Sequence, residues 1–378
     1  MARAALDSPP VRHRLHALLA KPHKATSFDI AYLAGVSQST VSRALRGSPL
    51  VNAETTRRIL EAAEQLHYTV DKHASSLRTQ RAGTLALLLF EDPTSDESHI
   101  NPFFLPMLSA IARACARHGQ DLLISFQQLS HDWHADYGDS KKADGLILLG
   151  YGDYLAYLGK LHTLLEQGTP FVRWGAVLPE QPGLSIGCDN IGGGLQAGRH
   201  LIAAGRTRIA FLGDASSHYP EFLDRYLGCE RALAEAGHAM DRALQVDAES
   251  SEDAGAAAAR ELMRRGAATA GQAAGAPHFD ARAFDAVFAA SDLIAIGAMR
   301  AFAEAGLRVP EDVAVVGFDD IPAARIATPA LTTVRQDTVR AGELLVEKLI
   351  RLVDRQDAAS ERLPTELVVR RSSCVQDA

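Results

Sequence analysis

Six polar side chains crowd into one short segment of residues 27–46, SFDIAYLAGVSQSTVSRALR: Ser37, Gln38, Ser39, Thr40, Ser42 and Arg43. Short hydroxyls, one amide and one guanidinium are poor core material. They suit the edges of base pairs and phosphate oxygens, because each offers hydrogen bonds at short reach. The apolar residues among them, Val36, Val41 and Leu45, point back at an amphipathic stretch made by Phe28, Ile30, Ala31, Leu33 and Ala34. Gly35 supplies a tight turn between the two. The segment reads as a helix-turn-helix with a DNA-reading face. A plain helical hairpin with a polar surface has the same local pattern, so what separates the two lies in the rest of the chain.

The charge distribution is one feature that separates them. The chain has 378 residues and a formal net charge of −7. Residues 1–83 carry 12 Lys+Arg against 6 Asp+Glu, and the remainder carries 27 against 40. A basic head on an acidic body is expected where only the head meets a polyanion.

The elements that must hold this segment follow from periodicity. Residues 1–25 form an arm with Pro9-Pro10, five Lys/Arg and three His, and read as a flexible tail. A headpiece spans 26–70. Its third helix, 53–67, carries the stripe Ile59, Ala62, Ala63 and Leu66, with Asn52 as N-cap. Tyr68 closes the small core. The linker 71–82, DKHASSLRTQRA, holds a single leucine, Leu77, beside Arg78. One apolar wedge next to a cation suits a hinge that inserts into a minor groove.

From Thr84 onward, continuous apolar strands (TLALLLF, DLLIS, GLILL, PFVRW) alternate with helices near 104–118 and 154–167. The alternation restarts after Gly187: helix 191–204, strand 208–213, helix 224–236, strand 286–290, helix 292–305, strand 313–318. Strands without polar alternation belong to parallel sheets covered on both faces. The expected fold is therefore an all-α headpiece followed by an α/β bilobed body, 83–378, with two doubly wound parallel sheets. The first lobe is expected at about 83–188 and 335–356, the second at about 190–332 and 360–378. Helix 338–354 and strand 365–371 close the chain, and the low-complexity stretch 266–283 reads as a solvent loop.

Other classes find little support. No apolar run reaches the length of a membrane span, and the first residues lack the apolar core of a secretion signal, so a cytoplasmic protein is expected. Cys115, Cys188, Cys229 and Cys374 are scattered and read as reduced thiols. IGGGLQAG at 191–198 lacks the spacing of a phosphate loop, and no GxSxG occurs. His131 and His134 have no evident third ligand and read as solvent-facing. Neither catalysis, nor a cofactor, nor a metal is expected.

Taken in order, DIAYLAGVSQSTVSRAL, ASSLR, NPFF at 101–104, DN at 189–190, RYLG at 225–228, FAASDLIAIGAMRAFAEAGLRVPEDVAVVGFDD at 288–320 and PALTTVRQD at 329–337 carry a resemblance. The chain resembles the lactose-repressor/galactose-repressor (LacI/GalR) family of bacterial transcription regulators from about residue 26 to 373. The resemblance implies a homodimer that reads a near-palindromic operator, and a periplasmic-binding-protein-like body that takes a small effector, expected to be a sugar. It places Gln38 and Ser39 against bases, Arg43 where guanine can be read, and Thr40, Ser42, Thr55 and Tyr68 at phosphates. Arg46 is expected to add backbone attraction. Leu77 matches an intercalating hinge leucine and Arg78 its basic neighbour. In the body it places Arg225, Ser291, Asp319 and Gln336 at the effector. Ser291 stands where asparagine is common. Trp174, at the end of a strand that should open into the cleft, offers an indole face for a sugar ring, and Trp133 is a candidate for its rim. Two local alternatives stay open: Arg225 pairing with Glu221 on its own helix, and Asp319 or Asp320 merely capping the next turn. The function expected is a repressor of carbohydrate-use genes released by a sugar. A corepressor-dependent or partner-dependent regulator, or a solute-binding protein, are the alternatives.

Overall fold

The computed structural model describes residues 25–45, 48–68, 81–90, 100–127, 131–150, 152–269 and 283–374. The expectations for the 1–25 arm (save Ala25), Arg46, Leu77 and Arg78 lie outside the described residues, as does most of the low-complexity stretch. The chain divides into two compact units, 1–79 and 80–378.

The first unit is a three-helix headpiece. Helix α1 (Ser27–Ala34) begins where the Asp29 carboxylate accepts both the Thr26 N–H, at 2.8 Å, and its hydroxyl, at 2.7 Å. It ends at Gly35, whose φ of 65° is left-handed and therefore suits a residue without Cβ. Helix α2 (Gln38–Ala44) is capped by Ser37, and α3 (Ala53–Gln65) by Asn52, whose Oδ1 accepts the Thr55 N–H at 2.8 Å. Ile30, Val41, Ile59, Ala62 and Ala63 form the core, with Leu33, Val36, Leu45, Leu66 and Tyr68 packed at its margin. Phe28 departs from the expected apolar face, for it is 71% exposed.

The body holds two six-stranded sheets. The first contains β1 (Thr84–Leu89), β2 (Asp121–Phe126), β3 (Gly145–Leu149), β4 (Phe171–Trp174), β5 (Leu184–Cys188) and β11 (Glu361–Leu363), in the order β11-β5-β4-β3-β1-β2, all parallel. Leu85, Leu87 and Leu89 face the helices α4 (Phe104–Arg117) and α11 (Thr338–Val353). Ala86 and Leu88 face α5 (Tyr154–Glu166) and a π-helical turn at His134–Asp139. The second sheet runs β12-β10-β9-β8-β6-β7, from β6 (Ile209–Leu212), β7 (Gln245–Val246), β8 (Ala286–Ala289), β9 (Ala314–Asp319), β10 (Thr332–Gln336) and β12 (Thr365–Val368). Only β12 is antiparallel among the described pairings. Four longer helices cover this sheet: α6 (Asn190–Ala203), α7 (Pro220–Glu235), α8 (Glu252–Thr269) and α9 (Asp292–Glu304), with the short α10 (Pro322–Ile326) after β9.

The glycines of IGGGLQAG serve helix packing. A Cβ on Gly194 would lie 2.1 Å from the Arg225 carbonyl oxygen, and one on Gly228 would lie 2.2 Å from that of Ile191, so α6 and α7 cross almost backbone to backbone. Helix α7 starts four residues earlier than expected, because Pro220 takes its first position, where the missing N–H costs nothing. Helix α8 extends into the expected loop, so 266–269 are helical. The chain passes between sheets after β5, after β10 and after β11. Residues 335–336 therefore stay with the second sheet, where β10 pairs with β9, and 361–363 belong to the first, where β11 pairs with β5.

Candidate functional site

The headpiece presents its polar residues on and around α2. Ser37 Oγ accepts the Thr40 N–H at 3.2 Å and lies 2.9 Å from Ser39 Oγ and 2.8 Å from Thr40 Oγ1. Gln38 Nε2 donates to Ser27 Oγ at 3.2 Å. The hydroxyls are thus linked to one another, and the amide to Ser27, through hydrogen bonds within the headpiece. Ser39 and Arg43 are exposed, Ser42 and Thr55 half-buried, and Tyr68 packs against the headpiece core.

In the body, Asp319 is the centre of the expected site. It ends β9 with φ of 117°, a conformation a non-glycine residue adopts only under constraint, and Asp320 follows at 54°. Gln336 Nε2, at the end of the adjacent strand, donates to Asp319 Oδ1 at 2.6 Å. Arg225 of α7 is fully buried, with its NH1 3.7 Å from the same oxygen. Its Nε donates to Asn190 Oδ1 at 2.9 Å, NH1 donates to the Ala290 carbonyl, and the guanidinium lies 3.8 Å from the Phe318 ring centroid. A buried guanidinium so fully engaged is held in one orientation. Glu221, on the same helix, accepts the Ala176 N–H through Oε1 at 2.6 Å. Neither aspartate caps α10, whose N-cap is Ile321. Asp320 meets Arg335 at 2.8 Å and Arg370 at 2.5 Å. Burial would raise its pKa, but these two arginines win and hold it below the ordinary value.

A cavity of about 170 Å³ opens beside Asp319 and Gln336, lined also by Phe103, Ile321 and Arg335. Trp174 lies behind Phe103, with ring centroids 6.0 Å apart. Its indole N–H is buried with no hydrogen-bond partner among the described residues, which is uncommon for a buried donor. Ser291 is fully buried and caps α9, accepting the Ile294 N–H at 3.3 Å. It also accepts from Ser250 Oγ at 2.9 Å, and Ser250 in turn accepts from Asn101 Nδ2 at 3.2 Å. Asn101 precedes α4 of the first lobe, so this chain of three links the lobes. Trp133 is no rim residue. It packs beside Leu146 and Leu161, with Lys160 Nζ 4.8 Å from its ring. His134 is half-buried rather than fully solvent-facing, with Nδ1 2.5 Å from Thr169 Oγ1 and Nε2 3.1 Å from Asp139 Oδ1.

Several residues of this region escape sequence reasoning. Asp292 is buried between Thr333 Oγ1, at 2.5 Å, and the Ile321 N–H, at 2.9 Å. Burial, then the charge of Asp319, pushes its pKa well above the ordinary value. A Cβ on Gly317 would come 2.3 Å from its carboxylate, which explains that glycine. Asn190, which orients Arg225, sits inside the DN pair. Cys188 Sγ donates to Asn190 Oδ1 at 3.2 Å, and burial pushes that thiol up to about 12, so it is not a reactive thiolate. A larger cavity of about 480 Å³ lies in the second lobe, lined by Asp214, Tyr219, Asp247, Glu249 and a floor of alanines from α8. No group of three His, Cys, Asp or Glu side chains among the described residues is placed to hold a metal, and no helix among them is long and apolar enough to cross a membrane.

Comparison with known proteins agrees with this geometry. Residues 28–71 match the model for bacterial regulatory proteins of the lacI family, and residues 199–373 match a periplasmic binding protein-like domain. The HTH-type transcriptional regulator CelR of Thermobifida fusca is 33% identical over 351 residues, 91% of this chain and 96% of its own. The regulator GalR of Escherichia coli is 31% identical over 336 residues, 87% and 90% of the two chains. A solved complex of a CelR regulator with cellobiose superposes with a TM-score of 0.65 at 32% identity, covering 92% of this chain and 99% of that one. The lac repressor dimer bound to operator, at 24% identity and TM-score 0.72 over 93% and 100% of the two chains, shares the fold. The helix-turn-helix headpiece, the two-sheet body and these relatives agree: the chain belongs to the LacI family of bacterial regulatory proteins and is a helix-turn-helix transcriptional regulator with an effector-binding body.

Proposed function

We propose that this regulator is a homodimeric repressor of carbohydrate-use genes, acting in the cytoplasm and released from a near-palindromic operator when a small sugar binds between its lobes. The observation that carries the reading is the polar cluster around Asp319. A strained carboxylate, a buried guanidinium and an amide meet beside an aromatic wall, at the carboxyl edge of a parallel sheet where ligands of such folds sit. A carboxylate and donors at hydrogen-bond reach suit the alternating donor and acceptor roles of sugar hydroxyls. The unpartnered Trp174 N–H gives a further donor, and a relative solved with cellobiose supports the ligand class.

On the DNA side, Gln38 and Ser39 read bases and Arg43 contacts guanine. Thr40, Ser42, Thr55 and Tyr68 hold phosphates, Ser37 belongs to the same DNA-facing set, Arg46 adds charge, and Leu77-Arg78 wedges the centre of the operator. Sugar binding reorients the lobes and draws the paired hinges apart. The test is selection of bound sequences from random duplexes with purified protein, repeated with a panel of sugars that includes cellobiose. Recovery of one palindrome, lost with one sugar, is expected. A palindrome recovered only with added ligand makes the protein corepressor-dependent, and no enriched sequence under any condition sinks the reading. Leu77→Ala should lower the preference for operator over random DNA by about tenfold while leaving sugar affinity unchanged.

A further inference from the structure

The end of α11 grips the residue at which the chain enters the body. Arg81 NH1 lies 2.6 Å from Asp354 Oδ1, and Arg81 NH2 donates to the Val353 carbonyl at 3.0 Å. The next two backbone N–H groups, of Ala82 and Gly83, each donate to the Asp144 carboxylate at 2.7 Å. Three consecutive residues are therefore pinned where the 71–80 segment ends. The Arg81–Asp354 pair is partly exposed, with side chains 48% and 36% accessible. An ion pair in such a place adds little to stability. What it supplies is direction, because the guanidinium closes the carbonyl end of a helix, where the helix dipole favours a cation.

The other end of α11 starts at the ligand cavity. Gln336, which donates to Asp319, is followed directly by Asp337, whose side chain accepts the Arg340 N–H and caps the helix. From there the helix covers about 24 Å, at 1.5 Å per residue. It is seated tightly along its length. A Cβ on Gly342 would meet Ala110 Cβ and the Met107 carbonyl oxygen at 2.8 Å each, and Leu349 fills the space above Gly145. A helix packed this closely shifts as a unit rather than bending.

We propose that α11 is a strut that carries the state of the effector cavity to the hinge, and that Arg81 is the positioning residue through which it holds the hinge. The inference rests on the function proposed above for the cavity and adds the route of its coupling. At the cavity end the route is the Gln336–Asp319 bond, at the hinge end it is the two Arg81 contacts to Val353 and Asp354, and between them the helix runs unbroken from Thr338 to Val353.

The experiment uses the full-length protein, its selected operator, a random duplex, and cellobiose as the sugar probe. Arg81→Ala, Asp354→Ala, the double variant and Arg81→Lys are compared with the parent. In the parent, the sugar should weaken operator binding by about 5–150-fold. In Arg81→Ala this change should shrink to about threefold or less, while calorimetry shows cellobiose affinity unchanged within about twofold. Asp354→Ala should act in the same sense, and the double variant should be no worse than either, since both remove one interaction. Arg81→Lys keeps a charge for Asp354 and should recover part of the response. A merely structural role would lower melting temperature and leave the response ratio intact. Without any sugar, both alanine variants should also lose operator-over-random preference by about fivefold, because a loosely held hinge is harder to order on DNA. A parent that enriches no operator overturns the proposed function. A parent operator whose preference and sugar response survive in both alanine variants overturns the strut alone.

Discussion

Asp319 illustrates how one side chain can be costly to the fold and still be kept. Its φ of 117° and its buried charge both oppose folding, and Gln336 and Arg225 offset them. Asp319→Asn keeps the shape and the tolerance for this backbone region but removes the charge. We expect it to weaken sugar binding at least about tenfold by calorimetry while leaving operator affinity unchanged. An unaltered sugar affinity would remove Asp319 from the site. Asp224, one residue from Arg225, gives a pH prediction. Burial, and then Glu221, push its carboxyl up to about 6 from 3.8. Because the folded pKa lies above the unfolded one, its stabilising contribution is complete below about pH 3.8 and is lost as pH rises through 6. Asp224→Asn removes that dependence. Its melting temperature relative to the parent should therefore rise between pH 4 and pH 7, by an amount worth about 1–2 kcal/mol. A difference that stays flat with pH contradicts the shift.

At the scale of elements, the α6–α7 crossing is the most demanding contact in the second lobe. Gly194→Ala places a methyl 2.1 Å from a backbone oxygen, which no side-chain rotation can relieve. It should cost about 1–3 kcal/mol in urea unfolding. It should also weaken the sugar response, because Arg225 lies on the displaced helix. In the headpiece, Gly35→Ala forces a Cβ into a left-handed turn between α1 and α2 and should cost about 1 kcal/mol, read by the headpiece unfolding transition. These elements were legible to different degrees. The continuous apolar strands β1, β3 and β4, and the long amphipathic helices α4 and α11, appear in the sequence within a residue or two. The short strands β5, β7 and β11, and the alanine-rich α8, do not. The two residues of β7 and three of β11 hold too little periodicity to stand out, Ser185 and Gly187 interrupt the apolar run of the five-residue β5, and an alanine-rich helix shows no apolar stripe.

For the whole molecule, the proposed function requires coupling between operator and sugar to be reciprocal. The factor by which sugar weakens operator binding should equal the factor by which operator weakens sugar binding, and titrations in both orders check it. Unequal factors mean that a third state or a change in assembly has been left out. The molecule's charge makes a further demand. With the positive charge concentrated in residues 1–83, operator affinity should fall steeply with salt, while sugar affinity should hardly change.

Local features were enough to outline the headpiece helices, since a glycine turn at Gly35, a cap at Asn52 and apolar spacing are all contained within a few residues of sequence, while the reading of DNA rested on the charge asymmetry and the order of motifs along the chain. The same holds for the alternation that gives two parallel sheets, since strands buried on both faces must be apolar throughout. The resemblance put Arg225 and Asp319 at one site, but their direct contact, and the placement of Asn190 beneath Arg225, of Asn101 against Ser250 and of Arg81 on Asp354, came only from the tertiary structure. These partners are separated by tens to hundreds of residues, and a charged or amide side chain looks the same in sequence whether it is solvated or held in a buried network. Which polar residues are buried is decided by how the sheets and their crossing helices come together, and that packing depends on the whole chain at once.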